Sequence, residues 1–207
     1  TWVSTGQDGW DAGVYAQRYD NHGVPVGAEF RVNSTTAYNQ SEPTVIGLTG
    51  GGYVVAWTSV NQDGSGSGIY AQRFTNDGTL LGSEFQVNTE TYQGQSNPTL
   101  AATADGGFVV GWESDYYNPA FTEYRDIFFQ RFNAAGVAQG SETQANPTGE
   151  GTVTQSEPSF VGLAGGGFVA LWTDHSKDGS SYGVYGQRFN ADGSMAGASF
   201  LVNTFIT

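Results

Sequence analysis

The chain has 207 residues, with 20 acidic against 7 basic side chains, two histidines and no cysteine, and its formal net charge is −13. A field of that sign repels phosphate backbones and anionic membrane surfaces, which argues against nucleic acid as a partner. The absence of cysteine excludes disulfides and thiolate metal sites. No apolar run approaches the length of a membrane-spanning helix, so we expect no membrane insertion. The 31 glycines and 14% aromatic residues are typical of an all-β protein rich in turns.

A tryptophan motif recurs from the first residues of the chain onwards. It reads "TWVS" (1–4), "GGYVVAWTS" (51–59), "GGFVVGWES" (106–114) and "GGFVALWTD" (166–174), so that the tryptophans are 55, 55 and 60 residues apart. In the second repeat, "QSEPTVIGL" (40–48) precedes this motif, and "GIYAQRF" (68–74) and "EFQVN" (84–88) follow it. Self-similarity at such a period indicates a repeat architecture.

The four motifs predict four strands per repeat, which we name A (Gln-Ser-Glu-Pro), B (tryptophan), C (Gln-Arg-Phe) and D (Glu-Phe-x-Val-Asn). Each is short, rich in β-branched and aromatic residues, and bounded by Gly, Asn, Asp or Pro. A four-stranded antiparallel unit at this period predicts an all-β, β-propeller-like fold of about four blades. The chain is then a single repeat domain, 1–207, with units at approximately 1–39, 40–94, 95–154 and 155–207. A linear stack of small sheets is the alternative.

The first repeat has no strand A in this sequence, so its blade is incomplete. We expect the chain to be a segment of a longer protein; residues before Thr1 or another chain would then supply that strand, or the array is open. Because an inner blade has neighbours on both sides, strand B should bury both of its faces.

A Gln-Arg pair occurs once in each strand C, and these four pairs contain four of the seven basic residues. A site used once does not need four copies, so we interpret the pairs as structural. We predict that each arginine pairs with the glutamate of the adjacent strand D, namely Glu29, Glu84 or Glu142. The fourth repeat has Ser199 at that position, so Arg188 would need another acceptor.

The connections from strand B to C and from D to the next A should emerge at one end of the blades. They are longer and more polar than the A–B and C–D turns, so we expect function at that end. Three of the B–C loops carry Asp-Gly, at Asp8, Asp63 and Asp178. One hypothesis is that these carboxylates help to bind Ca²⁺. The alternative is an Asx-type turn that only shapes the loop.

The third repeat replaces that loop by the longer "DYYNPAFTEYRD" (115–126), which clusters Tyr116, Tyr117, Phe121 and Tyr124. Flat aromatic rings beside Asn and acidic groups suit a sugar ring, and Trp10 in the first loop is a second candidate platform. The alternative is that the aromatic residues form a local core over the blade edge. The two histidines lie in connections at opposite ends, so a histidine-based triad or zinc site is poorly supported, and we predict no catalytic residues.

The combined motifs resemble the tandem repeats of very large secreted bacterial proteins that also carry repeats-in-toxin calcium motifs and adhesin modules. The resemblance covers essentially the whole chain. It implies an extracellular or cell-surface, calcium-associated protein concerned with attachment. We therefore predict a non-catalytic binding or adhesion module that recognises carbohydrate or a surface-matrix component. The alternative function is a structural subunit of a surface filament or layer, self-associating through strand or blade complementation.

Overall fold

In a computed structural model the described residues are 1–9, 11–116, 124–146, 154–175 and 182–204. They form fifteen strands and no helix. The first sheet contains β1 (Trp2–Thr5), β2 (Ala12–Tyr19) and β3 (Pro25–Arg31); the second contains β4 (Gln40–Gly47), β5 (Tyr53–Val60), β6 (Ser67–Phe74) and β7 (Phe85–Gln86). The third contains β8 (Gln95–Ala102), β9 (Phe108–Tyr116), β10 (Tyr124–Phe132) and β11 (Ala138–Gln144); the fourth contains β12 (Gln155–Gly162), β13 (Phe168–Asp174), β14 (Gly183–Phe189) and β15 (Phe200–Leu201).

Each sheet is an antiparallel meander in which every strand pairs with its neighbours in sequence. The second, third and fourth sheets have four strands in the order A, B, C, D, and the first has three, in the order B, C, D. The prediction of an all-β fold of repeated β-propeller-like blades is confirmed. No helix among the described residues is long and apolar enough to cross a membrane.

The blades pack face against face, with three apolar clusters between them. Val55 and Trp57 belong to the cluster shared with the first blade, whereas Val54 belongs to the cluster shared with the third. Strand B therefore buries both faces, as the sequence predicts. We call the side of a blade that carries the strand B tryptophan its tryptophan face, and the opposite side its aliphatic face. At each junction the aliphatic face of one blade packs on the tryptophan face of the next.

The A strands of successive blades contact each other, β4 with β8 and β8 with β12. Among the described strands, no extensive contact joins the first blade to the fourth. Within the described residues, no further blade therefore packs on the tryptophan face of the first blade or on the aliphatic face of the fourth.

In each Gln-Arg pair the glutamine side chain donates to the carbonyl of the following arginine. Arg18, Arg73 and Arg131 reach the next blade and not the strand D glutamate, so the predicted arginine–glutamate pairing is wrong for these three. Arg73 donates through Nη1 to the carbonyl of Ala135 at 2.5 Å and through Nη2 to that of Ala134 at 2.6 Å, both in the C–D turn of the following blade. Arg18 and Arg131 donate in the same way to carbonyls of the next turn. The arginine clamps successive blades because a guanidinium on strand C reaches across the junction.

The strand D glutamates face the preceding blade instead. Glu84 Oε2 accepts from the Ser34 amide at 2.6 Å and from the Ser34 hydroxyl at 3.0 Å. Glu142 makes the same contacts with Thr89, at 2.6 and 2.8 Å. The corresponding residue of the third repeat is Pro147, which has no N–H to donate, and the fourth repeat has Ser199 in place of the glutamate. The two departures from the repeat pattern are therefore chemically consistent.

Candidate functional site at the BC/DA rim

The B–C and D–A connections lie at the same end of the sheets, which we call the BC/DA rim. Pairing of Gln40 with Ser59 and of Val60 with Ser67 places the start of strand A, the end of strand B and the start of strand C at this rim. The A–B and C–D turns form the opposite AB/CD rim. Of the candidate residues from the sequence, Asp8 and Asp63 in B–C loops and Tyr116 and Tyr124 at the adjoining strand ends lie at the BC/DA rim.

Each strand A begins with a bulge at this rim. Glu42, Asn97 and Glu157 have φ angles of 52°, 56° and 55°, and the ladder register shifts at each of them. A left-handed conformation at a residue other than glycine is uncommon and persists where surrounding contacts hold it. Here the contacts come from the neighbouring blades.

At the junctions of the second with the third blade and of the third with the fourth, one carboxylate accepts the amide of the next bulge. Glu42 Oε2 accepts from the Asn97 amide at 2.8 Å, and Glu113 Oε1 accepts from the Glu157 amide at 2.8 Å. The third blade carries its acid on strand B because Asn97 occupies the bulge. These two rim carboxylates therefore form hydrogen bonds between successive blades.

Arg125 forms ion pairs with two carboxylates at this rim, Glu113 and Asp115. Its Nε donates to Asp115 Oδ1 at 2.7 Å, and its Nη1 lies 3.3 Å from Glu113 Oε2. Glu113 is buried, whereas Arg125 and Asp115 are partly exposed. A partly buried carboxylate is stabilised by such a partner. The exposed edges of Arg125 and Asp115 offer both donors and acceptors at the rim surface.

Two of the five predicted platform residues lie within the described part of the chain, and they are adjacent. Tyr116 and Tyr124 pair across β9 and β10, with ring centroids 5.4 Å apart and planes 14° from parallel. Tyr116 also packs on Phe128 at 6.2 Å, and Phe128 packs on the buried Trp112 at 6.4 Å. Both tyrosines are half-buried, and burial raises the pKa of Tyr116.

This row of packed aromatic rings concerns both interpretations of the inserted loop, the sugar-binding platform and the local core. Tyr116 and Tyr124 are continuous with the blade core, as the local-core alternative expects, while each keeps part of its surface exposed at the rim. The platform prediction for the pair stays a prediction. Trp10, Tyr117 and Phe121 lie outside the described residues.

The Asp-Gly loops place a carboxylate against the start of strand C. Asp63 Oδ1 accepts from the Ser65 amide at 3.0 Å, which is an Asx-type turn. Its Oδ2 lies 2.8 Å from the point that a Cβ on Gly68 would occupy. Asp8 has the same relationship to Gly13, at 2.8 Å. The glycine is needed because the carboxylate occupies that space.

The third blade reaches the same arrangement from a different residue. It lacks the Asp-Gly loop and has Asp126 where the other blades have glycine, and Asp126 Oδ1 accepts from the Asn146 side-chain amide at 2.7 Å. The equivalent Asn33 and Asn88 link strand C to the next strand A through Gln40 and Gln95. A carboxylate beside this asparagine is thus a common feature of the first three blades.

The metal prediction named Asp8, Asp63 and Asp178. Among the described residues, no group of three or more acidic, histidine or cysteine side chains could hold a metal ion. Each loop supplies one carboxylate, which is thin coordination for Ca²⁺. Asp178 lies outside the described residues, and calcium binding stays a prediction.

A pocket of about 510 Å³ at the rim of the fourth blade contains residues that the sequence did not identify as a binding site. His175 and Tyr182 pack edge to face at 4.5 Å, and His175 Nε2 lies 3.4 Å from the Ser156 hydroxyl. Glu157 and Thr173 line the same pocket. The signal was present in "TDHS" and in a tyrosine at the end of the B–C loop, but neither forms a recognised motif.

The fold is shared with solved structures of arabinanases and of an α-L-arabinofuranosidase. An endo-arabinase from Bacteroides thetaiotaomicron gives a TM-score of 0.55 at 17% identity, covering 84% of this chain and 66% of the other. An α-L-arabinanase from Penicillium chrysogenum, in complex with arabinobiose, gives 0.55 at 9% identity, covering 92% and 67%. An α-L-arabinofuranosidase from Lactobacillus brevis gives 0.53 at 12%, covering 93% and 67%.

The chain spans about two thirds of the length of these structures. At such identities the likeness establishes the β-propeller fold alone. Neither a family model nor a curated protein sequence matches the chain.

Proposed function

We propose that the chain is a non-catalytic, extracellular binding module that recognises carbohydrate through the BC/DA rim of the third blade. The observation that carries the proposal is the stacked Tyr116–Tyr124 pair beside the Arg125–Asp115 ion pair. Aromatic rings offer apolar contact to the C–H face of a sugar, and the charged pair offers hydrogen bonds to its hydroxyls. The Penicillium chrysogenum neighbour with bound arabinobiose supports carbohydrate as the ligand class.

The rim carboxylates support a binding role over hydrolysis. Glycosidases use a pair of carboxyl groups that are free to exchange protons or attack the sugar. Glu42 and Glu113 instead accept hydrogen bonds from backbone amides of the next blade. Moving either side chain would remove a hydrogen bond between successive blades, so a catalytic role would conflict with its structural one.

Glycan-array binding of the 207-residue chain tests this function, with arabinan oligosaccharides in the panel and with parallel measurements in calcium and in chelator. Tyr124→Ala should weaken binding about tenfold or more, since a sugar–aromatic contact of ordinary strength is lost. Leu80→Ala, an exposed residue of the AB/CD rim, is the matched control and should bind as the wild type does. Binding by wild type and Tyr124→Ala with equal affinity, or no glycan bound at all, would overturn the proposal.

The chelator arm tests the calcium prediction separately. If the Asp8 and Asp63 loops bind Ca²⁺, chelator should lower glycan affinity, and Asp63→Asn should raise the calcium concentration needed for half-maximal binding because a charged ligand is lost. Equal glycan affinity in calcium and in chelator would show that binding does not need calcium, and it would not affect the proposed aromatic platform.

A further inference from the structure

A pocket opens at the AB/CD rim between the third and fourth blades, and we call it the junction pocket. Its volume is about 420 Å³, within the range of about 300–1,000 Å³ that is usual for small-ligand sites. Its walls come from the A–B turn and strand C of the third blade and from the A–B turn of the fourth. They include Asp105, Arg131 and Gly167. The pocket therefore lies between two blades of the chain, at the rim opposite the BC/DA rim.

Gly167, in the wall of the junction pocket, has a backbone amide that lacks the acceptor found in the second blade. There the equivalent Gly52 amide donates to Asn76 Oδ1 at 2.6 Å. The fourth blade has Ala191 in place of Asn76. Gly167 is buried, and its amide has no acceptor in the described part of the chain. A buried N–H group without a partner is costly, so this position favours an incoming acceptor oxygen.

The third blade satisfies the equivalent amide from a different residue. Asp105 Oδ1 accepts from the Gly107 amide at 3.2 Å and from the Thr103 hydroxyl at 2.5 Å. The fourth blade has Gly165 at the position of Asp105. A planar carboxamide or carboxylate therefore binds this amide in the second and third blades, and the fourth blade has neither side chain.

Arg131 brings a cation with unused donors to the same pocket. The equivalent Arg73 donates through both Nη1 and Nη2 to carbonyls of the next turn. Arg131 donates through Nη1 to the Asp192 carbonyl, and no described residue accepts from its Nη2. Because a guanidinium binds carboxylates strongly, Arg131 adds a preference for an anionic oxygen.

Small side chains keep the pocket open. Between the second and third blades, Thr49 Oγ1 donates to the Thr103 carbonyl at 3.2 Å and so bridges that junction. The third blade has Ala104 in place of Thr49, so the junction of the third and fourth blades has no such bridge. The pocket thus occurs where the repeat has lost side chains that occupy the same rim elsewhere.

We propose that the junction pocket binds a small hydroxylated carboxylic acid, with its carboxylate on the Gly167 amide and Arg131 and a hydroxyl on Asp105. The Thr103 and Gly107 hydrogen bonds lower the pKa of Asp105, so its carboxylate is ionised at neutral pH. Both bonds use Oδ1, which leaves Oδ2 to accept from a ligand hydroxyl. A simple inorganic anion would lack that hydroxyl and would meet the charge of Asp105 instead. The proposal is independent of the proposed function.

Nuclear magnetic resonance of the 207-residue chain, titrated with sodium D-glucuronate at constant ionic strength, provides the direct test. The amide peak of Gly167 should shift, because its N–H gains a charged acceptor. The amide peak of Gly52 is the internal control and should not shift, since Asn76 already accepts from it. D-Glucose has the same ring without the carboxylate, and its affinity should be about tenfold lower or less.

Two substitutions of alanine by asparagine locate the site. Ala191→Asn gives the fourth blade the acceptor that Asn76 supplies in the second, so glucuronate affinity should fall about tenfold or more. Ala135→Asn is the matched control at an exposed position of the third C–D turn, where the second and fourth repeats carry aspartate. It should bind glucuronate as the wild type does. Tyr124→Ala, at the BC/DA rim, should also leave this affinity unchanged.

Circular dichroism would confirm that each variant is folded before its affinity is compared. A Gly167 peak that does not move on addition of glucuronate overturns the proposal. So does equal glucuronate affinity of Ala191→Asn and wild type, or equal affinity of the wild type for glucose and glucuronate. Weaker binding by Tyr124→Ala with unchanged binding by Ala191→Asn would place the acid at the other rim and would also overturn it.

Discussion

Asp126 Oδ1 lies 2.7 Å from the side-chain amide nitrogen of Asn146, in the only one of the four repeats whose B–C loop lacks Asp-Gly. In the first and second blades the loop aspartate brings its carboxylate to the start of strand C, and glycine leaves room for it. A carboxylate at this position is thus delivered either by the loop or by the strand. Because Asp126 on strand C supplies the carboxylate in the third blade, its B–C loop can lack the Asp-Gly pair.

This exchange predicts a coupled pair of substitutions in the second blade. Gly68→Asp alone should destabilise by about 2 kcal/mol, because a second carboxylate is forced against Asp63. Asp63→Ala alone should cost about 1 kcal/mol. The double variant has the residues of the third blade at these two positions. Its loss of unfolding free energy in urea should be smaller than the sum of the two single losses by about 1 kcal/mol or more. Additive effects would show that the two carboxylates do not share one place.

The arginine contacts between blades predict that alanine substitution lowers the free energy of unfolding unequally at two equivalent positions. Arg73 is buried, makes two hydrogen bonds to the next turn and has its pKa lowered by burial, so Arg73→Ala should lower the free energy of unfolding by about 2–3 kcal/mol. Arg18 is half-buried and makes one hydrogen bond to the next turn, so Arg18→Ala should cost only about 1 kcal/mol. Arg73→Lys should recover only part of the loss, since lysine lacks the planar fork. Equal losses at both sites would contradict the clamp as described.

The contact of Glu142 with the preceding blade predicts a local effect on amide hydrogen exchange. Glu142 Oε2 accepts from the Thr89 amide, so Glu142→Ala should speed hydrogen exchange at Thr89 about tenfold or more while strands β8 to β10 keep their protection. Glu29→Ala is the matched control, because Glu29 is hydrogen-bonded to Gln7 within its own blade. Unchanged exchange at Thr89 would mean that the loop is held by other contacts.

Tyr70 predicts a loss of stability at alkaline pH. Burial, with smaller contributions from Asp63 and Glu84, raises its pKa from 10.0 to about 12. The folded state therefore holds the phenolic proton more tightly than the unfolded state, and this contribution to stability is complete below pH 10 and is lost as the pH rises towards 12. Tyr70→Phe should reduce the slope of unfolding free energy against pH in that window. Parallel pH profiles for wild type and variant would contradict the assignment.

The sequence predicted the fold well because the period and the residue pattern repeat four times. Strand B was expected to bury both faces, and Val54 and Trp57 do so in different clusters. The predicted arginine partner was wrong because it was chosen from the adjacent strand D of the same blade. The arginine side chain is long enough to reach the C–D turn of the next blade. Contacts between blades depend on how sheets face each other, which spacing within one repeat does not encode.

The candidate site was predictable only in part for a similar reason. Tyr116 and Tyr124 flank an insertion that departs from the repeat, and this departure identified them. The Arg125–Glu113 contact and the capture of the Glu157 amide by Glu113 were missed, because each joins residues from different strands or blades. The His175–Tyr182 pair was missed because the loop between them is variable in every repeat.

The most direct test of the account is hydrogen exchange of the wild-type chain with a carbohydrate found by array binding. If the BC/DA rim of the third blade is the binding surface, bound ligand should slow exchange around Tyr116 and Tyr124, while the C–D turn around Gly136, on the opposite rim, should exchange at its free rate. Protection confined to the AB/CD rim, or to the inner A strands, would contradict the account.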